Sequence, residues 1–356
     1  MQLPNFYGKN YKMLLAIPLA LFIVFFILIF VWPKVPMGID FKGGTMVLIR
    51  ADKPIDATEL STLLSQNFDL TELKVSSVSG PAGYGVNIQF ATDKVLESGK
   101  ASVEAARAAL ATNPDAALQL ARDAVESVKR YLTDTTLPSV PEEAVNKAEL
   151  ALIEAGKNAS QQMQDLIKQR FSLSESSAFQ RREVSPTLSA SFWQTGLNVA
   201  ILAVILVTIV IFIFFRKIIP SVAVIVCGIF DVGCAVAMMA VFSIPLSLSS
   251  IPTLLMLLGY SIDTDIMLTS RMLQRKEKSP VERAYGSLNT GLTMTGTTIG
   301  ALLVMLVVSY FNQINIIFEI SAVLLFGLVG DLIGTWLMSA PLLLWYVEKA
   351  KKKTLF

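Results

Sequence analysis

Six runs of predominantly apolar residues, each close to the roughly 20 that a helix needs to cross a bilayer, constrain this chain more than any other feature. They cover residues 13–32, 195–215, 218–241, 246–269, 292–310 and 317–347, the last long enough to tilt or to project from the bilayer. Between the first and second runs hydropathy collapses, so a water-soluble domain is expected over residues 33–192. The expected division is an N-terminal tail (1–12), a first span (13–32), this domain, a five-span bundle (193–347) and a basic tail (348–356). With 53% apolar and only 16% charged residues, the composition fits a polytopic membrane protein and not a string of soluble domains. No small-residue cleavage site follows the first run, so it is expected to be a retained span.

Basic residues set the expected orientation. Lys9 and Lys12, Arg216 and Lys217, Arg271 with Arg275, Lys276, Lys278 and Arg283, and Lys349 with Lys351, Lys352 and Lys353 all fall on one side. The loops FSIPLS and FNQIN on the other side carry none. The positive-inside rule then puts both termini in the cytoplasm and the soluble domain outside a cell membrane. The net charge of +2, scattered beside apolar spans, gives no footprint for nucleic acid.

Histidine is absent, so a proton relay would have to use carboxylates, hydroxyls and water; His-based catalysis and the usual zinc sites are excluded. The two cysteines, Cys227 and Cys234, lie seven residues apart on one helix face. That is about 10 Å along the axis, too far for a disulfide, and they read as packing residues. No nucleophile paired with a base, no metal cluster and no phosphate loop appears, so an enzymatic function is not expected.

Ionisable groups inside the spans are the functional signal. Residues 247–271 carry Asp263, Asp265 and Arg271, and an ionised group in hydrocarbon costs roughly 2.5 to 3.5 kcal/mol even on the most lenient scale. Asp263, Met267 and Arg271 recur at i, i+4 and i+8, while Asp265 lies nearly opposite Asp263. The third run adds Asp231 between Gly228 and Gly233, and the sixth adds Glu319 and, in GLVGDLIG, Asp331. The Gly330–Gly334 spacing lets another helix approach, which turns Asp331 toward protein. At the start of the fifth run Thr290, Thr293 and Thr297 with Gly300 and Ala301 form a hydroxyl-bearing stripe that suits the wall opposite an aspartate-bearing helix. Either these groups clamp the helices together or they gain and lose protons (or bind sodium) as an ion gradient is used. Several acids against one Arg271 leave a negative excess that favours the second reading.

The soluble domain opens on GIDFKGG, residues 38–44, read as a tight turn into a strand, with Asp40 able to accept from nearby amides. A strand over 45–50, a helix over 55–66 capped by Asp56 with Glu59 completing a capping box, and strands over 73–78 and 85–91 predict a small antiparallel sheet. Residues 99–171 change to Ala, Glu, Lys and Leu with breaks near Pro114 and Pro138, a three-segment helical insertion, before a last strand at 177–184. Asn158 begins a glycosylation sequon, a pattern that also arises by chance.

GIDFKGG after the first span (Gly38, Asp40, Phe41, Gly43, Gly44) and GYS before acids in a later span (Gly259, Tyr260, Ser261), with EVSPTLSASF and SAPLLL, resemble the SecD/SecF family of protein-export membrane proteins, in an archaeal-looking form of its SecF side. Matched from Gly259, Asp263 falls on a family Asn, Thr264 on a family Asp and Arg271 on a family Arg, while Asp231 falls on a membrane-embedded family Asp. The resemblance implies a six-span bundle of the resistance-nodulation-division (RND) type plus an α+β, ferredoxin-like extracytoplasmic domain with a helical insertion. It further implies pairing with a six-span SecD-like subunit, contact with the Sec translocation channel, preprotein as substrate, membrane lipid as solvent, and no cofactor beyond the transmembrane ion gradient. The coupling candidates are then Asp231, Asp263, Thr264, Asp265, Arg271, Thr293, Thr297 and Asp331. An RND-type exporter of small molecules or lipids, or a passive assembly factor, are the alternatives; full exporters of that type carry twice the spans and external loops seen here.

Overall fold

The computed structural model describes residues 7, 11–51, 53–80, 83–173, 178–274, 279–312 and 314–353. Lys9, Arg275, Lys276 and Lys278, on which the expected orientation partly draws, lie outside the described residues. Two compact units form, Lys42–Ser189 on the one hand and Met1–Phe41 with Ala190–Phe356 on the other.

The first unit is built on a four-stranded antiparallel sheet of β1 (Gly44–Ala51), β2 (Lys74–Gly80), β3 (Gly83–Phe90) and β4 (Ala178–Val184) in the order β2-β3-β1-β4. Alternation does the work expected of it. Val47, Ile49 and Ala51 pack with Val86, Ile88 and Phe90 on one face, while Asn87 and Gln89 point the other way. Helix α3 (Ala57–Asn67) connects β1 to β2 and buries Leu60 and Leu64 in that core. Asp56 caps it through the Thr58 amide at 2.8 Å, but Glu59 pairs with Arg170 and does not close the expected capping box.

Between β3 and β4 the insertion forms three helices, α4 (Lys94–Ala109), α5 (Pro114–Ser127) and α6 (Pro141–Phe171). Asn113 caps α5 through Ala116 N, and proline at the first turn of α5 and α6 fits because that amide has no helical partner anyway. An alanine-rich stripe, Ala117, Ala121, Ala124, Ala144, Ala148 and Ala155, lets the helices close on one another. Asp93, the N-cap of α4, also accepts from Tyr131 Oη at 2.8 Å and pairs with Arg130 at 3.7 Å. The Asn158 amide sits mid-helix, half-buried, and donates to Tyr131 O at 2.8 Å.

The second unit is the bundle. A 3-10 turn (Tyr11–Leu15) leads into α1 (Ala16–Phe30), and a short α2 (Ile39–Lys42) precedes β1. Then come α7 (Pro186–Phe215), α8 (Ile218–Val241), α9 (Ser250–Gln274), α10 (Pro280–Phe311), α11 (Asn315–Gly334) and α12 (Ala340–Lys353). Among the described residues, six helical stretches are long and apolar enough to cross a membrane, the last of them Asn315–Lys349. At α10 a polar cap, not hydropathy, sets the helix start: it begins at Pro280 behind a Ser279/Glu282 capping box, well before its apolar stretch. The sixth run is likewise not one α-helix, since Thr335–Ser339 form a π-turn between α11 and α12.

The Tyr131–Asp93 bond ties the insertion to the sheet unit. Tyr131→Phe is expected to destabilise that unit by about 1–3 kcal/mol, the cost of stripping a buried acceptor of its donor, read as earlier hydrogen exchange in α4 and α5. Burial, and then Asp93, hold the Tyr131 phenol above its ordinary value of about 10. The stability it contributes is therefore present below that pH and lost as pH rises beyond it, a loss the Phe variant should not show.

Candidate functional site

Three helices each bring one aspartate to a common place in the bundle. Asp231 of α8, Asp265 of α9 and Asp331 of α11 are all 0% exposed, and Asp331 lies within electrostatic reach of both Asp231 and Asp265. Glycine makes the convergence possible. A Cβ on Gly334 would stand 2.8 Å from Asp231 Oδ1 and 2.9 Å from Cys227 Sγ, and one on Gly330 would meet Cys234, so α11 lies almost backbone-on against α8. Gly228 does the same for α8 against Leu258 of α9.

Hydroxyls one helical turn away complete the lining. Ser261, four residues before Asp265, donates to Asp231 Oδ2, and Thr335, four residues after Asp331, donates to Asp331 Oδ1 at 2.9 Å. Thr295 of α10 also faces Asp331. Cys227 Sγ lies 4.0 Å from Asp231 Oδ2 and 3.9 Å from Thr335 Oγ1. Asp265 has Cys227, Thr335 and Ser339 as polar neighbours, yet neither of its oxygens makes a well-formed hydrogen bond. Asp231 Oδ1, Asp331 Oδ2, Thr269 Oγ1 and Ser339 Oγ are likewise buried without a bond from protein. The π-turn matters here, because its wider turn carries both Thr335 and Ser339; such turns are frequent at functional sites.

Among the described residues no basic side chain pairs with these acids. Arg271 Nη1 instead donates to Gly286 O at 3.0 Å and Thr290 Oγ1 at 2.8 Å, joining α9 to α10. An ionised carboxylate stripped of water and of a counter-charge costs several kcal/mol. The cluster can be neutral only by holding protons or a cation, and its donor set, carboxylates and hydroxyls, suits either. Among the described residues no group of three metal-ligating side chains at metal-binding spacing is found.

The other sequence candidates fall elsewhere. Asp263 is exposed on the opposite face of α9, beside the exposed Gly259 and Tyr260. Thr264 is buried but its hydroxyl only returns to Tyr260 O at 3.3 Å. Thr293 and Thr297 are exposed, so the expected hydroxyl wall is corrected to Thr295, which lies on the intervening, buried face of α10. Cys227 is more than a packing residue, since it touches the acid cluster. Sequence reasoning missed Thr295, Thr335 and Ser339; the i+4 and i+8 spacing of Thr335 and Ser339 from Asp331 was the signal that pointed to the last two.

At one end of the bundle the GIDF motif meets the turn between α8 and α9. Gly38 N donates to Leu246 O at 2.7 Å, and Leu248 N donates to Asp40 Oδ2 at 2.9 Å. Gly43 and Gly44 take positive φ (78° and 130°), as a turn into β1 requires, while Gly38 is needed for close approach instead. Close by, Ser247 and Ser250 donate to Glu319 Oε1.

Comparison with known proteins agrees with these features. The family model described as "Protein export membrane protein SecD/SecF, C-terminal" matches residues 163–349, and that of the SecD/SecF GG motif matches residues 33–55. The chain is 30% identical to the protein-export membrane protein SecF of Methanothermobacter thermautotrophicus, over 96% of this chain and 94% of that one. It is 29% identical to the SecF of Methanocaldococcus jannaschii, over 97% and 99%. Among solved structures, SecDF of Thermus thermophilus, a translocon-associated membrane protein, has a TM-score of 0.57 at 14% identity, a likeness of fold. The match takes in 96% of this chain and 60% of that one, so the chain spans less than two thirds of the solved protein.

Unpaired burial predicts that the acids cost stability. Asp265→Asn should leave the thermal midpoint of the bundle unchanged or raise it, because a neutral amide is cheaper to bury than an unpaired carboxylate. If the acids served only to clamp helices, the same variant would melt earlier.

Proposed function

This chain belongs to the SecD/SecF family of protein-export membrane proteins, and from that premise we propose that it serves as a SecF-type subunit that uses a proton or sodium gradient to assist protein export. The observation that carries the reading is the convergence of Asp231, Asp265 and Asp331 from three different helices, buried and, among the described residues, without a basic partner. Loading and unloading such a cluster changes its net charge, and the helices that carry the acids are then free to prefer different spacings in the two states. Each charge that crosses the membrane supplies about 2.3 kcal/mol per 100 mV, enough to bias such a two-state element.

The partner is inferred from the bundle's surface. Asp263 on α9 and Thr293 and Thr297 on α10 face outward, and Gly259, Gly296 and Gly300 nearby have open space where a Cβ would stand. A carboxylate facing hydrocarbon is expensive, whereas a companion bundle of SecD type with polar groups would satisfy it, and small residues allow close approach. The sheet unit, with its order β2-β3-β1-β4 and helical crossovers, supports the ferredoxin-like reading, and the positive-inside pattern of the loops supports an outer-side location for it. A cavity of about 350 Å³, lined by Phe68, Phe90, Lys100, Met163, Arg181 and Glu183, gives that unit a concave surface for emerging polypeptide. The Sec channel is the inferred neighbour on that route.

Neutralising any one of the three acids should uncouple export from the gradient. In membrane vesicles containing the chain and its companion, Asp231→Asn, Asp265→Asn and Asp331→Asn are each expected to reduce gradient-stimulated release of exported protein about tenfold, within the range of ordinary coupling energies. Release without a gradient should be untouched. Full stimulation in all three variants would remove the basis of this reading.

A further inference from the structure

The acid cluster does not account for the GIDF motif, which is hydrogen-bonded into the bundle. Leu246 N donates to Pro36 O at 2.7 Å and Gly38 N returns to Leu246 O at 2.7 Å, so Met37 and Leu246 form a parallel bridge. Asp40, 2% exposed, takes the amide of Leu248 at 2.9 Å, and the Phe41 ring meets Trp193 edge-on at 5.4 Å. A Cβ on Gly38 would stand only 2.9 Å from Leu246 O and 3.5 Å from Ser247 Cα, so this closeness depends on glycine.

The turn that receives the motif is itself fixed to the start of α9. Ser247 N donates to Ser250 Oγ at 3.0 Å, and Ser250 Oγ donates to Glu319 Oε1 of α11 at 2.6 Å. From Ser250 the helix runs unbroken to Asp265, a lever of about 22 Å at 1.5 Å per residue. On the other side of the motif only Lys42 and Gly43 separate Phe41 from the first residue of β1. The motif is therefore hydrogen-bonded to the turn that opens the acid-bearing helix and is continuous in the chain with β1.

We propose that residues 36–41 act as a clasp that passes displacement of α9 to β1, with Asp40 as its positioning residue and Gly38 as the position that lets it close. Its use in export rests on the reading above; the mechanical coupling is a property of the chain itself. When the acid cluster changes its load, α9 shifts against α8 and α11, the 246–248 turn follows, and the clasp carries the first strand with it. An anchor that merely held the loop in place would tolerate its own loosening without altering what the rest of the chain senses.

The test is hydrogen exchange on the full chain with its companion in lipid nanodiscs, comparing the wild type with Asp265→Asn, a neutral mimic of the loaded site. Residues 44–51 are expected to change exchange rate about fivefold in response to Asp265→Asn. The response should vanish in an Asp40→Ala background and persist with Asp40→Asn, which keeps an oxygen for Leu248 N. A Met37→Cys/Leu246→Cys disulfide should restore it to Asp40→Ala, which separates a lost clasp from a lost fold. A response that survives Asp40→Ala, or that is missing in the wild-type background, would overturn the clasp. Export is scored apart: a wild-type chain whose export ignores the gradient would defeat the export reading, while the exchange data would still decide the coupling.

Discussion

Three carboxylates withdrawn from water with no guanidinium or ammonium beside them among the described residues would each cost the bundle several kcal/mol if ionised, and the surrounding helices are arranged to make that burial possible. Gly228, Gly330 and Gly334 bring α8, α9 and α11 close enough to exclude water, and Ser261 and Thr335 satisfy one oxygen each of Asp231 and Asp331. The satisfaction is incomplete, most of all at Asp265. A bundle selected for stability alone would pair these acids or replace them; retaining them half-satisfied makes the packing sensitive to whatever neutralises them.

The distribution of burial follows from the same need. Helix α8, which carries Asp231, is buried along much of its length, whereas the apolar side chains of α7 and α1 are mostly exposed. Buried walls surround the acids, while much of the remaining apolar surface of the bundle is exposed. Arg271 lies on neither side of that division: it stitches α9 to Gly286 and Thr290 on α10, so it positions the helix that bears Asp265 without neutralising it. At the end of the bundle near Glu319, Asp40 and the α8–α9 turn give the acid-bearing helix a fixed point of contact with the segment entering β1.

Much of the architecture was legible in the sequence because hydropathy and turn chemistry are local. The six apolar runs, the period-2 alternation of β1 and β3, the proline breaks of the helical insertion and the glycines before β1 all stand in the structure near where the residues placed them. The chemistry was only partly legible. Asp231, Asp265 and Asp331 are visible as acids in apolar runs, but which faces of three helices converge depends on packing that a helical wheel cannot supply. Asp263 and Asp265 are two residues apart, and it is the packing of α9 against its neighbours that leaves Asp263 exposed and Asp265 buried. The same ambiguity misplaced the hydroxyl wall by two residues, from Thr293 and Thr297 to Thr295. The π-turn was invisible because the composition of Thr335–Ser339 is as compatible with an α-helix as with the wider turn.

The central claim is that the acid cluster takes up and releases the ions of a transmembrane gradient. Ion flux into liposomes holding the chain and its companion, followed with proton- and sodium-sensitive dyes after a gradient is imposed, tests it most directly. The account predicts a flux of one of the two ions that Asp265→Asn abolishes while the protein stays folded and inserted. An undiminished flux in that variant, or none of either ion in the wild-type pair, would contradict it.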